Sequence, residues 1–209
     1  MTSQYQILYG DIHNHNAVGY GVGSLERAID IARHHLDFFS FTGHSHWHDM
    51  EPMEGGREAH WLNGFRRMEE GWPDVQNLIA DANGADDFSA FLGFEWHSST
   101  FGDQCVVFPE DHRPLIRPND IETLRSFCRQ ERALMIPHHL AYPKGHRGVN
   151  WDVFNCDCSP VVEIFSEHGN SEDDRGAFPF FNHSMGGRET TNTVAHALDA
   201  GLRFGFVAS

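Results

Sequence analysis

Tyr9-Gly10-Asp11-Ile12-His13-Asn14-His15, near the N-terminus, decides how the rest of the chain is read. The apolar residues 6–9 read as a short strand that runs into two histidines one residue apart. Side chains alternate faces along a strand, so His13 and His15 point the same way. Two neutral imidazoles side by side suit borderline metals such as Zn, Fe and Mn. The same arrangement recurs down the chain. Residues 37–42 lead to His44, 88–94 to Glu95, 133–136 to His138, and 161–165 to His168. Functional groups gathered at strand C-terminal ends are what a metal site at the mouth of an α/β barrel requires.

Between these strands the pattern turns helical. Ser24 caps a helix with Leu25, Ala28, Ile29 and Ala32 on one face. Residues 58–71 read as an amphipathic helix that Trp72-Pro73 breaks, with a second piece starting at Pro73. Residues 105–108 form the return strand of a hairpin. Residues 121–132 form a helix capped by Asn119 or Asp120, 193–200 a further helix, and 202–207 a last strand. The glycine-rich stretch 16–23 lacks the spacing of a phosphate-cradling loop. Strands alternating with helices predict one α/β domain over residues 1–209. About seven strands are fewer than a full barrel has, and a full barrel typically needs about 250 residues, so a reduced or open barrel is expected.

The chain carries 30 acidic and 15 basic residues, a formal charge of −15, and Lys144 is its one lysine. That surface repels nucleic acid and anionic membranes, which excludes both as expected partners. Cys105, Cys128, Cys156 and Cys158 form no disulfide framework in a chain of this length, and Cys156-Asp157-Cys158 is too tight for a zinc Cys-x-x-Cys. With no signal segment and no apolar run of membrane-spanning length, a reducing, cytoplasmic setting is expected. Of the 16 histidines, His34, His35, His60, His112, His183 and His196 read as ordinary helix or surface residues. His46, His48 and His97 read as possible pocket lining, and His139 as a neighbour of the ligands. Asp11 is expected to orient a ligand histidine through its second ring nitrogen.

Taken in order, these motifs resemble the PHP superfamily, named for its polymerase-associated and histidinol phosphatase members. Asp11-Ile12-His13-Asn14-His15 matches the family's opening Asp-x-His-x-His. Thr42-Gly43-His44 matches its Thr-Asp-His, Gly93-Phe94-Glu95 its Gly-x-Glu, and Ile136-Pro137-His138 a strand ending in histidine. The resemblance covers nearly the whole chain. It implies a distorted (β/α)7 TIM-like barrel with two or three divalent metal ions (Zn, Mn or Fe) at the strand C-terminal ends. It also implies His13, His15, His44, Glu95, His138 and His168 as metal ligands, with Glu95 bridging two ions and Glu95 and His138 as the catalytic pair. Three positions depart from the family. Tyr20 stands where an Asp is usual, Gly43 replaces the Asp of Thr-Asp-His, and the family's last Asp-x-His would fall beyond Ser209, so the chain is expected to stop short of it.

The implied activity is metal-dependent hydrolysis of a small phosphorylated molecule by an activated water. Lys144, Arg147 and Arg188, all in glycine-containing loops, are the candidate phosphate-binding cations. Two alternatives stand beside it. One is amide or ester hydrolysis of the amidohydrolase type. The other is a non-catalytic metal-binding or regulatory PHP-like domain, which the three departures favour.

Overall fold

A computed structural model describes residues 5–84, 88–182 and 185–209; His183 lies outside them. Its strands fall into three small sheets. The first joins β1 (Gly10–Asn14), β2 (Phe38–Phe41) and β4 (Ser89–Phe91), all parallel. The second orders β3 (Gly43–Trp47), β5 (Gly93–His97), β6 (Gln104–Val107) and β7 (Leu134–Pro137), parallel at β3–β5 and antiparallel on both sides of β6. The third holds β10 (Gly205–Ala208) parallel to β8 (Val161–Ser166), with the short β9 (Gly169–Asn170) antiparallel on its other side. Four α-helices accompany them among the described residues: α1 (Leu25–Arg33), α2 (Ala59–Asn83), α3 (Ile121–Glu131) and α4 (Val194–Asp199).

This is a small α/β domain of several mixed sheets, and it corrects the expected distorted (β/α)7 TIM-like barrel. No sheet closes on itself among the described residues. The reason lies at two junctions. The stretch 37–42, read as one strand, ends at Phe41; one residue later the chain enters a different sheet as β3. The stretch 88–94 divides in the same way, β4 into β5 across Leu92. Backbones crowd at both switches, so each new strand opens on glycine. A Cβ on Gly43 would lie 2.9 Å from the Val18 carbonyl oxygen and 2.4 Å from the Phe41 ring, and one on Gly93 would lie 2.5 Å from the Val106 oxygen. No side chain fits there. The antiparallel return of β6, the expected hairpin, then breaks the strand–helix alternation that a barrel needs.

The helices follow their apolar faces. α1 buries Leu25, Ile29 and Ala32, and the Ser24 hydroxyl accepts the Arg27 N–H as its cap. α3 is capped by Asp120, which accepts from Thr123 N at 2.8 Å. The expected break at Pro73 does not occur, and α2 runs through it for 25 residues. Met68, Trp72, Val75 and Ile79 on either side of the proline pack into one core with Phe39, Phe41 and Phe94. Each such side chain contributes about 1.5–3 kcal/mol, enough together to outweigh a proline cost of about 3 kcal/mol. The first strand also sits later than the apolar run predicts. Residues 6–9 are exposed, and β1 begins at Gly10. No helix among the described residues is long and apolar enough to cross a membrane.

Candidate metal centre

All three sheets send residues to one place. His13 on β1 and His15 just past it, His44 on β3, Glu95 on β5, His138 just past β7, and Glu163 on β8 converge there. Two strands are irregular where they deliver a histidine. β1 shifts register between Asp11 and Asn14, and β3 between His44 and His46. Such bulges re-aim side chains beside functional sites.

Glu95 lies at the centre, its side chain 1% exposed. Around it stand His44 Nδ1 at 2.8 Å, His15 Nε2 at 3.2 Å and His13 Nε2 at 3.6 Å from Oε2, with His138 Nε2 at 3.8 Å from Oε1. Neither buried oxygen has a hydrogen-bond partner. A buried carboxylate without hydrogen bonds is costly unless a cation meets it. Burial opposes ionisation of Glu95, yet His97, His44 and the other imidazoles hold it well below the ordinary carboxylate range. Burial also keeps most of the rings neutral. His15 is pushed down and His44 far down, while His138 falls to about 3 and His168 to about 2, each helped by neighbouring rings. His13 goes the other way: despite burial, Cys105 and Glu163 beside it hold it well above the imidazole value.

Glu163 is the residue that the sequence reading missed. Its Oε2 lies 2.8 Å from His13 Nδ1 and 2.8 Å from His138 Nδ1. A carboxylate accepting from Nδ1 fixes a proton there and turns Nε2 of both rings toward Glu95, bare on neutral His138 and 2.8 Å from His15 Nε2 on His13. Asp11 does not take this part. It accepts the backbone N–H of His13 instead. A signal for Glu163 was present, because a carboxylate inside Val161-Val162-Glu163-Ile164-Phe165 is expensive to bury without a partner.

A second buried carboxylate, Asp103, lies just ahead of β6. Its Oδ2 is 2.6 Å from His97 Nδ1, and Arg147 donates to it through Nε at 2.9 Å and through Nη2. Arg147 and the imidazoles of His97 and His139 hold Asp103 ionised against its burial. His97 Nδ1 also lies 2.8 Å from Arg147 Nη2, and its Nε2 faces His44 Nδ1 at 3.0 Å. His139 Nε2 is 3.1 Å from Asp103 but off the hydrogen-bonding direction, and both of its ring nitrogens are buried without a hydrogen bond.

Several groups bring ligand atoms close enough for one ion: His13, Glu95 and His138; His15, His44 and Glu95; His138, His139 and His168. Glu95 is common to the first two. A pocket of about 330 Å³ opens over them, lined also by Arg147, Ser166 and Glu167. Every predicted ligand thus lies at this pocket. His168 reaches it from the β8–β9 turn, with Nδ1 2.8 Å from the Tyr142 hydroxyl. The predicted cations divide. Arg147 is at the pocket, whereas Lys144 pairs with Asp152 on a separate cleft and Arg188 with Asp174 at 2.8 Å. His46 faces Asn119, His48 stacks on Trp96, and His34, His35, His60, His112 and His196 are exposed. The four cysteines are free thiols, and burial pushes the Cys105 thiol up to about 12.

Gly43 and Tyr20, where the sequence differs from the pattern it resembles, both sit in tight packing. Gly43 has no room for a side chain. Tyr20 lies flat on His44, centroids 3.7 Å apart at 7°, continuing a stack in which His44 lies on His15 at 3.8 Å and 6°. Gly64 on α2 leaves space for that ring, since a Cβ there would be 2.6 Å from Tyr20 Cδ1.

No family model matches this chain, and no curated protein does. Among solved structures, PsfC from Pseudomonas syringae PB-5123 is similar with a TM-score of 0.47 and 14% identity over 76% of this chain. The chain spans 65% of the length of that structure.

Proposed function

We propose that the protein is a metal-dependent hydrolase, a phosphoesterase acting on a small phosphorylated molecule, and a relative of the PHP superfamily. One observation carries the reading. Glu95 is fully buried, ionised and without a hydrogen bond, yet ringed by imidazole nitrogens within 3.8 Å. That donor set, a carboxylate among neutral imidazoles, fits Zn, Mn or Fe(II). His13, Glu95 and His138 would hold one ion and His15, His44 and Glu95 another, with His138, His139 and His168 a third place. Divalent ions bound there acidify water and polarise a phosphoryl group.

The remaining work falls to the chain's own residues. Glu163 holds a proton on Nδ1 of His13 and His138, so that Nε2 is the nitrogen each ring would offer to an ion, His13 giving up its second proton as the ion binds. Asp103 meets His97 Nδ1 and fixes the guanidinium of Arg147 in the pocket wall, where it can hold the negative oxygens of a phosphate.

Metal content, measured by plasma mass spectrometry on untagged protein, tests the reading. Two or three equivalents of Zn, Mn or Fe, falling sharply in His13→Ala, together with turnover of phosphomonoesters, are expected. Less than about half an equivalent, unchanged by His13→Ala, sinks it. Turnover of carboxylic esters without phosphoesters would transfer the site to acyl chemistry.

A further inference from the structure

The pocket over Glu95 does not stand alone. A chamber of about 840 Å³ adjoins it, and His44, Arg147 and His168 line both. The smaller pocket has room for a phosphate and its ions. The larger one is the size that holds a whole organic ligand. We propose that this chamber seats the organic part of the substrate and that it selects a planar aromatic ring carried as a phosphate ester. The proposal rests on the phosphoesterase reading and adds the substrate class to it.

Three aromatic side chains line the chamber: Tyr20, Trp47 and Trp61. Tyr20 extends the histidine stack out of the metal pocket, so its ring forms a flat floor running from one cavity into the other. Trp61 meets Tyr20, Trp47 and His60 at 72°, 79° and 89°, with no ring stacked on it in these contacts. Trp47 is fixed by its indole N–H on Ser99 Oγ at 3.1 Å and carries the Arg147 guanidinium 4.6 Å above its ring. Rings packed edge-on around an opening favour a flat aromatic guest through offset stacking.

Arg147 stands at the junction. Its bonds to Asp103 use Nε and Nη2, so Nη1 is not committed to that carboxylate. Its backbone holds φ at 70°, a left-handed conformation kept only where the surroundings enforce it. The rest of the wall is mixed in charge, with Arg57 on one part of it and two carboxylates on another. Asp49 is held ionised there by the Ser99 and Thr100 N–H groups and the Ser98 hydroxyl, and Glu51 lies near it. One phosphate beside Arg147 and an uncharged ring against Trp61 satisfy both ends.

The test compares two ligands of like size and charge that differ in flatness. Benzylphosphonate and cyclohexylmethylphosphonate are titrated into the full-length, metal-loaded protein by calorimetry, which needs no turnover. Benzylphosphonate is expected to bind about tenfold tighter. Trp61→Leu is expected to remove that preference while metal content stays at the wild-type value. Equal affinities in the wild type, or a tenfold preference that survives Trp61→Leu, would overturn the assignment. Phosphonate discrimination in a protein that hydrolyses no phosphoester would leave the chamber standing and defeat the enzymatic reading instead.

Discussion

Glu95 and Asp103 are both fully buried acids among imidazoles, and they are neutralised in opposite ways. Asp103 has Arg147, a fixed cation, within the same fold. Glu95 has only rings, most of them kept neutral by burial, and its oxygens make no hydrogen bond. An acid that already owns a cation becomes a hub that positions others. The proposed reading gives the acid that lacks one a cation from outside. The comparison gives four predictions, from the largest effect to the smallest.

Arg147→Met strips Asp103 of its cation and leaves a buried charge uncompensated. Unfolding in urea should show a loss of about 3–5 kcal/mol. Glu95→Gln should act in the opposite sense once metal has been stripped with chelator. Removing an unpaired buried charge should then leave stability unchanged or raise it by about 1–3 kcal/mol. With metal present the same variant should lose that stability and its ions together. A large loss for Glu95→Gln in chelated protein would show that the imidazoles alone suffice and would erase the distinction.

Glu163→Gln should weaken metal binding about 10- to 100-fold, read by competition with a chromophoric chelator, because His13 and His138 lose their shared acceptor. Asp49→Asn should cost only about 1 kcal/mol at neutral pH, since that half-buried carboxylate is partly screened. The direction with pH follows from its lowered pKa. Stability from Asp49 is fully present above the ordinary aspartate value of 3.8 and is lost as pH falls through the lower folded value. Wild type and Asp49→Asn should therefore converge in thermal melts as pH falls well below 3.8.

Local signals in the sequence carried far, and non-local ones did not. The caps at Ser24 and Asp120 and the apolar faces of α1 and α3 could be read because each depends on residues within one or two turns. The histidines gathered at the pocket could be read because each lies on or just past a strand. What could not be read depends on partners far along the chain. Thr42 and Leu92 look like ordinary strand residues, yet the sheet changes at each of them. Pro73 looks like a helix end until Trp72 and Val75 are seen buried in one core. Asp103 and Arg147 are 44 residues apart, and nothing local marks them as a pair.

Glu163 also has a mechanical meaning. Through one oxygen it grips a ring on β1 and a ring just past β7 while standing on β8, and those three strands belong to three different sheets with no shared main-chain ladder. That atom is the keystone of the arch. When it loosens, the sheets lose the tie that sets their spacing. Ordering those two rings and spacing the three sheets thus become one event.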